Sequence, residues 1–295
     1  MKTQQIKTLL LDTFSAWQKD NVPRMSAALS YYTVFSLAPL LIIIISVAGI
    51  FLGQDAAQGN IVAQMQSLIG QSGATFIQDI LKNASKPEAS SIAAVIGVIT
   101  LVLGASGVFS ELQSSLNTIW GVKPDPKKGI WGAIKDRFLS FTLVIGVAFL
   151  LLVSLSVDAV LSALNDYIAS LLSSFAATYM IQGLSVLISF LLITVLFGLI
   201  YKVLPDRNLK WRHVIIGALV TSFLFTIGKF LIGLYIGNSN FTDTYGAAGS
   251  LIVILLWVFY ASSILFLGAE FTKVYVRSEG AKVETTKGAR VRKAQ

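Results

Sequence analysis

The sequence predicts an all-α polytopic membrane protein, a bundle of six transmembrane helices preceded by an N-terminal interfacial helix. Three observations predict it. Six long apolar stretches stand out: Tyr31–Leu52, Ser91–Ser110, Phe138–Val157, Ile181–Tyr201, Val214–Ile236 and Ser250–Ala269. Crossing a hydrocarbon core about 30 Å thick takes about 20 apolar residues, and only the fifth stretch holds a charge, Lys229. Composition agrees: 55% of residues are hydrophobic and 13% charged, against about 25% charged in a soluble domain. Charge distribution is the third observation. All of the 23 Lys and Arg except Lys82, Lys86 and Lys229 lie before the first stretch, between the second and third, between the fourth and fifth, or after the sixth. An N-in, six-span chain puts these segments on one side, which the positive-inside rule makes cytoplasmic, with both termini there. The net charge of +8 therefore reads as topology signal, and nucleic acid is not expected as a partner.

Residues 1–29 form the cytoplasmic interfacial helix. Ile6, Leu9, Leu10, Thr13, Phe14 and Trp17 recur at helical spacing, with Lys7, Asp12 and Lys19 off that face. Residues 30–275 hold the six spans. Pro39 lies inside the first and has no N–H for the carbonyl of Phe35, which predicts a kink. Residues 53–90 contain two short amphipathic runs, Ile61–Ile69 and Phe76–Leu81, broken at Gly70–Gly73, so an external helical hairpin is expected on the outer leaflet. The tail, 276–295, is polar, basic and without apolar periodicity, hence expected to be disordered. The leading residues lack the apolar core of a cleavable signal. No internal repeat relates the two halves.

Two spans carry stripes of small or polar residues. In the second, Gly97, Thr100, Gly104, Gly107, Glu111 and Ser114 follow one seam; in the fifth, Ala218, Ser222, Thr226, Lys229, Gly233 and Gly237 do. Small residues let helix backbones approach closely in lipid, so Gly97, Gly104, Gly107, Gly233 and Gly237 are expected at helix contacts, and the same stripes are candidates for a polar cavity. Lys229 lies about 10 Å inside the outer end of its span. Such a charge either snorkels to the interface or faces a cavity and marks a pathway; its place on the stripe favours the cavity, with Asp158 as partner. Glu111 and Glu270, near the cytoplasmic ends of spans two and six, are either interfacial ion-pair members or gating contacts.

Catalytic chemistry is poorly provided for. One histidine, His213, and no cysteine do not build a metal site, and no nucleophile elbow or phosphate loop occurs. Neither metal nor cofactor is expected, and the chain is not expected to be an enzyme.

Several blocks carry a family resemblance. Ala27–Tyr32, with Tyr31 and Tyr32, is followed by Ser36–Leu40 around Pro39. Leu116–Trp120 contains Asn117; Tyr201–Pro205, Tyr245–Ser250, Leu256–Trp257 and Leu267–Glu270 complete the set. In this order they resemble the YihY/BrkB family of bacterial inner-membrane proteins over residues 27–270. The resemblance implies location in the inner membrane and links to envelope lipid biology. The family's older ribonuclease label is at odds with one His and no Cys.

The expected function is transport or flipping of an envelope lipid or other amphipathic anion, with Lys229, Glu111, Asp158, Glu270, Asn117, Tyr31, Tyr32 and Pro39 as candidates for binding or gating. A small-solute channel or ion-coupled carrier and a non-transporting scaffold are the alternatives. The lipid bilayer is the expected partner, and oligomeric state stays open, a homo-oligomer included.

Overall fold

A computed structural model describes residues 3–84, 107–124, 174–237, 247–280 and 289–291, with Gly146, Leu150, Val153 and Tyr245 singly. Seven helices run through them: α1 (Thr3–Lys19), α2 (Val22–Leu52), α3 (Gln54–Ala84), α4 (residues 107–119), α5 (Ser174–Val203), α6 (Trp211–Gly237) and α7 (Ala247–Ser278). Two three-residue strands, β1 (Val122–Pro124) and β2 (Ala289–Val291), complete the set.

Gly183–Val203, Trp211–Ile236 and Ala248–Ser278 are each long and apolar enough to cross a membrane, and α2 qualifies as a bent fourth. The expected third span, most of the second, and their Gly97, Gly104 and Asp158 lie outside the described residues. The bend in α2 is 51°, between Val22–Ala38 and Leu40–Leu52. It falls at Pro39, where the missing N–H removes a helical hydrogen bond.

The helix α7 is the hub, packing against α1, α2, α3 and α6, while α5 docks on α6. One core joins Val22, Met25 and Leu29 of α2 with Leu112, Leu116 and Ile119 of α4, Tyr201 of α5, Val214 and Ala218 of α6, and Phe266 and Ala269 of α7. The second lies farther along the bundle. There Ala57, Ile61, Ile77 and Leu81 of α3 pack on Leu41, Ile45, Ile236, Val253, Ile254 and Trp257. Gly70 breaks α3 with φ 74°, a conformation glycine adopts without Cβ strain. The apolar runs on either side of this break bury against α2, α6 and α7; residues 85–90 of the expected hairpin lie outside the described residues.

The stripe on α1 divides. Leu9 and Thr13 bury, with Leu9 and Ala16 against Val274 and Tyr275 of α7, whereas Ile6, Leu10, Leu11 and Phe14 stay exposed. A helix that docks by one edge and leaves an adjoining apolar edge free suits a bilayer interface. The tail differs from the disorder expected after residue 276. Helix α7 runs to Ser278, and β2 pairs antiparallel with β1, Val122 opposite Val291 and Pro124 opposite Ala289. Val122 is buried in the first core, which gives the tail an ordered edge to join despite its own lack of periodicity.

Helices α6 and α7 touch at glycines outside the predicted stripes. A Cβ on Gly217 would strike Thr272, one on Gly228 would strike the Tyr260 hydroxyl, and one on Gly268 would strike Thr221. Around Gly233 a Cβ would meet nothing within 4 Å, while Gly107 sits 3.5 Å from Tyr32 on the same measure. The expectation of a helix contact at Gly233 is therefore corrected, and Gly107 does sit beside α2. Gly237 closes α6.

Candidate functional site

Charged side chains gather where α1, the start of α6 and the end of α7 meet, called the basic end below. Its centre is Glu270, fully buried on α7. Lys273 follows at i+3, a spacing that places both on one helix face. Lys273 Nζ lies 2.7 Å from Glu270 Oε2 and donates to Asp20 Oδ2 at 2.6 Å. Asp20 reaches the pair from the tight turn joining α1 to α2, where Asn21 takes a left-handed φ of 53°, a conformation Asn tolerates better than most residues. Burial works against ionisation of Asp20. Hydrogen bonding with Glu270 and Lys273, then the charges of Lys273 and Lys19, hold its carboxyl below the usual value. Among the described residues no donor meets either oxygen of Glu270 at hydrogen-bonding geometry, although Lys273 is within ion-pair distance.

A second cluster surrounds Glu279, just past α7. It accepts from Tyr275 Oη at 2.6 Å and from Arg212 Nη2 at 3.1 Å, and lies 3.0 Å from Nε2 of the buried His213. The hydrogen bond from Tyr275 comes first among the causes that hold the Glu279 carboxyl below its usual value; desolvation opposes it, and His213 and Arg212 add to it. Glu279, Tyr275 and Arg212 border a cleft of about 1150 Å³ between α1 and the adjoining ends of α6 and α7, lined also by Gln4, Thr8, Asp12 and Arg277.

Asn117 forms a two-point clasp. Its Nδ2 donates to Asp206 Oδ2 at 3.0 Å and its Oδ1 accepts from the Asp206 backbone N–H at 2.8 Å, tying α4 to the α5–α6 connection. Arg207 Nη2 adds a bond to the Trp120 carbonyl at 3.2 Å. Beside them Lys202 donates to the Leu209 carbonyl and sits 5.7 Å above the Trp211 ring.

The remaining predicted residues lie apart. Glu111 is part-buried on α4 and accepts weakly from Ser115 Oγ at 3.4 Å. Tyr31 and Tyr32 are exposed on α2, Tyr31 packing against Phe35 with ring centroids 4.7 Å apart. Lys229 is exposed on α6, about 27 Å along the axis from Trp211 at 1.5 Å per residue. Its stripe is buried at Ala218 and Ser222 and opens outward at Lys229. Among the described residues, Glu270 and Asn117 thus belong to separate clusters, and Lys229 lies apart from both, far along α6.

Sequence reasoning missed Asp20, Lys273, Glu279 and Tyr201. The i, i+3 spacing of Glu270 and Lys273 was readable; the approach of Asp20 from the other end of the chain carried no local signal. Among the described residues no three His, Asp or Glu converge as metal ligands.

The sequence matches the family described as virulence factor BrkB over residues 13–293. Similar proteins include a UPF0761 membrane protein of Mannheimia succiniciproducens, 25% identical with 92% of this chain and 90% of that one covered. One from Pseudoalteromonas atlantica is 26% identical over 87% and 82%. Another from Stenotrophomonas maltophilia is 27% identical over 86% of this chain and 57% of its own length. No solved structure matches.

Proposed function

The chain belongs to the virulence factor BrkB family, a group of membrane proteins, and from that premise we propose that it moves an envelope lipid or other amphipathic anion across the bacterial inner membrane. In this reading all six apolar stretches span, and the basic end faces the cytoplasm. Charge asymmetry supports the orientation: Lys and Arg in short connections stay on the cytoplasmic side.

One observation carries the reading. Lys229, the only charged residue within the six apolar stretches, is exposed on the flank of α6 beside Phe223, Ile227, Phe230 and Leu231, which are exposed too. A cation at membrane depth costs about 2.5–3.5 kcal/mol on insertion scales and is kept mostly where it has work to do. Open to the side, it is reachable by an anionic headgroup whose chains stay in lipid. A solute channel would instead place its charge along an enclosed route. The reading assigns the chain no catalytic role. Its test is mass spectrometry of lipids retained by protein purified in mild detergent. Enrichment of an anionic lipid by wild type but not by Lys229→Met supports it; identical lipid profiles contradict it.

A further inference from the structure

The cluster at the basic end is unbalanced as ordinary charges. Asp20 and Glu270 supply two negative charges and Lys273 one positive. Among the described residues, Lys273 from α7 and Asp20 from the α1–α2 turn are the charged groups acting on Glu270, and Lys19 acts on Asp20. Glu270 is 0% exposed, Lys273 8% at its side chain, and Asp20 23%. Among the described residues Glu270 has no cation but the one it shares with Asp20, and a buried carboxylate so placed carries a desolvation penalty of several kcal/mol. Hydrogen bonding adds a separate argument. As a carboxylate, Glu270 finds no donor at bonding geometry for either oxygen. Its Oε2 and Asp20 Oδ2 nevertheless converge on one ammonium, 2.7 and 2.6 Å from Lys273 Nζ, which brings the two carboxyl groups together. Two carboxyl groups bond to each other only when one of them carries a proton.

We propose that Glu270, Asp20 and Lys273 form a binding site for a single proton, in which the Glu270 carboxylic acid donates to the Asp20 carboxylate while Lys273 stays charged and pairs with Asp20. With the proton bound the cluster is neutral and the Glu270 hydroxyl is satisfied. When the proton leaves for water, two carboxylates face one ammonium, and Asp20 sits on the turn that holds α1 and α2 together. Release therefore loosens the contact of this turn with α7. Proton occupancy is in this way coupled to the docking of the interfacial helix. The inference goes beyond the transport reading and holds whether or not a lipid moves.

The test is infrared difference spectroscopy of the full-length protein in detergent or bilayer across neutral to alkaline pH, following the C=O stretch of a protonated carboxyl. A band present at neutral pH, lost on alkalinisation and absent from Glu270→Gln, is the expected result. Asp20→Asn removes the acceptor's charge and should move the band's frequency and its midpoint. Glu270→Gln imitates the neutral acid, so it should fold, and its α1 should resist protease equally at neutral and alkaline pH, whereas wild type becomes more readily cut at alkaline pH. No protonated-carboxyl band at neutral pH, or one unchanged in Glu270→Gln, overturns the proposal.

Discussion

The Tyr201 hydroxyl donates to the backbone carbonyl of Leu265 at 2.7 Å, joining α5 to the hub helix α7. The same oxygen lies 2.8 Å from Thr221 Oγ1 on α6, and the ring is almost wholly buried. Three helices are thereby tied by one side chain. Each hydroxyl carries one proton, so Thr221 donates either to the Gly217 carbonyl at 2.7 Å or to Tyr201 Oη, whose own proton goes to Leu265.

Tyr201→Phe keeps the ring and removes the tie. Leaving buried polar groups without their partner costs about 1–3 kcal/mol, so thermal unfolding in detergent should shift clearly downward. An unchanged midpoint would show that water replaces the hydroxyl.

Helix contact gives a paired comparison. Gly268→Val should destabilise by about 1–3 kcal/mol through overpacking against Thr221, because a Cβ there already overlaps that side chain. Gly233→Ala should be near neutral or slightly stabilising, since a Cβ there meets nothing within 4 Å and Ala favours helix over Gly. Equal loss in both variants would contradict the α6–α7 register described.

Acid should weaken the basic end. The carboxyls of Asp20 and Glu279 are both held below their ordinary values. A depressed folded-state value adds stability that is fully present above the unfolded value, about 4, and is lost as pH falls through the folded one. The thermal midpoint should therefore drop below about pH 4, and Glu279→Gln should reduce the drop. A midpoint insensitive to acid would argue against both clusters.

How legible this molecule was differs from element to element. The Pro39 bend and the Gly70 break follow from backbone chemistry written at single positions, and the amphipathic α1 from local periodicity. Contacts at Gly217, Gly228 and Gly268 were not legible, because they depend on how α6 and α7 slide against each other. The stripe through Gly233 followed composition along one helix and had no information about its neighbour. Asp20 was missed because its partner Lys273 lies 253 residues away. The β1–β2 pairing escaped for the same reason: its residues have no alternation of their own, and the buried edge at Val122 supplies the order.

That pairing bears on topology. Pro124 opposite Ala289 brings the segment after α4 and residues 289–291 together, and in the proposed six-span scheme the distribution of Lys and Arg puts both on the cytoplasmic side. Reporter fusions at Pro124 and Gln295 should both read cytoplasmic, and a fusion at Gly59 periplasmic. Opposite readings at Pro124 and Gln295 would break the six-span scheme.

The proposed activity turns on Lys229. In vesicles containing the purified protein and a fluorescent anionic lipid, an added membrane-impermeant quencher reports how much probe reaches the outer leaflet. Wild type should speed exchange of the anionic probe over protein-free vesicles, Lys229→Arg should retain much of that rate, and Lys229→Met should lose most of it while remaining folded. Exchange by Lys229→Met at the wild-type rate, or no exchange by wild type, would contradict the account.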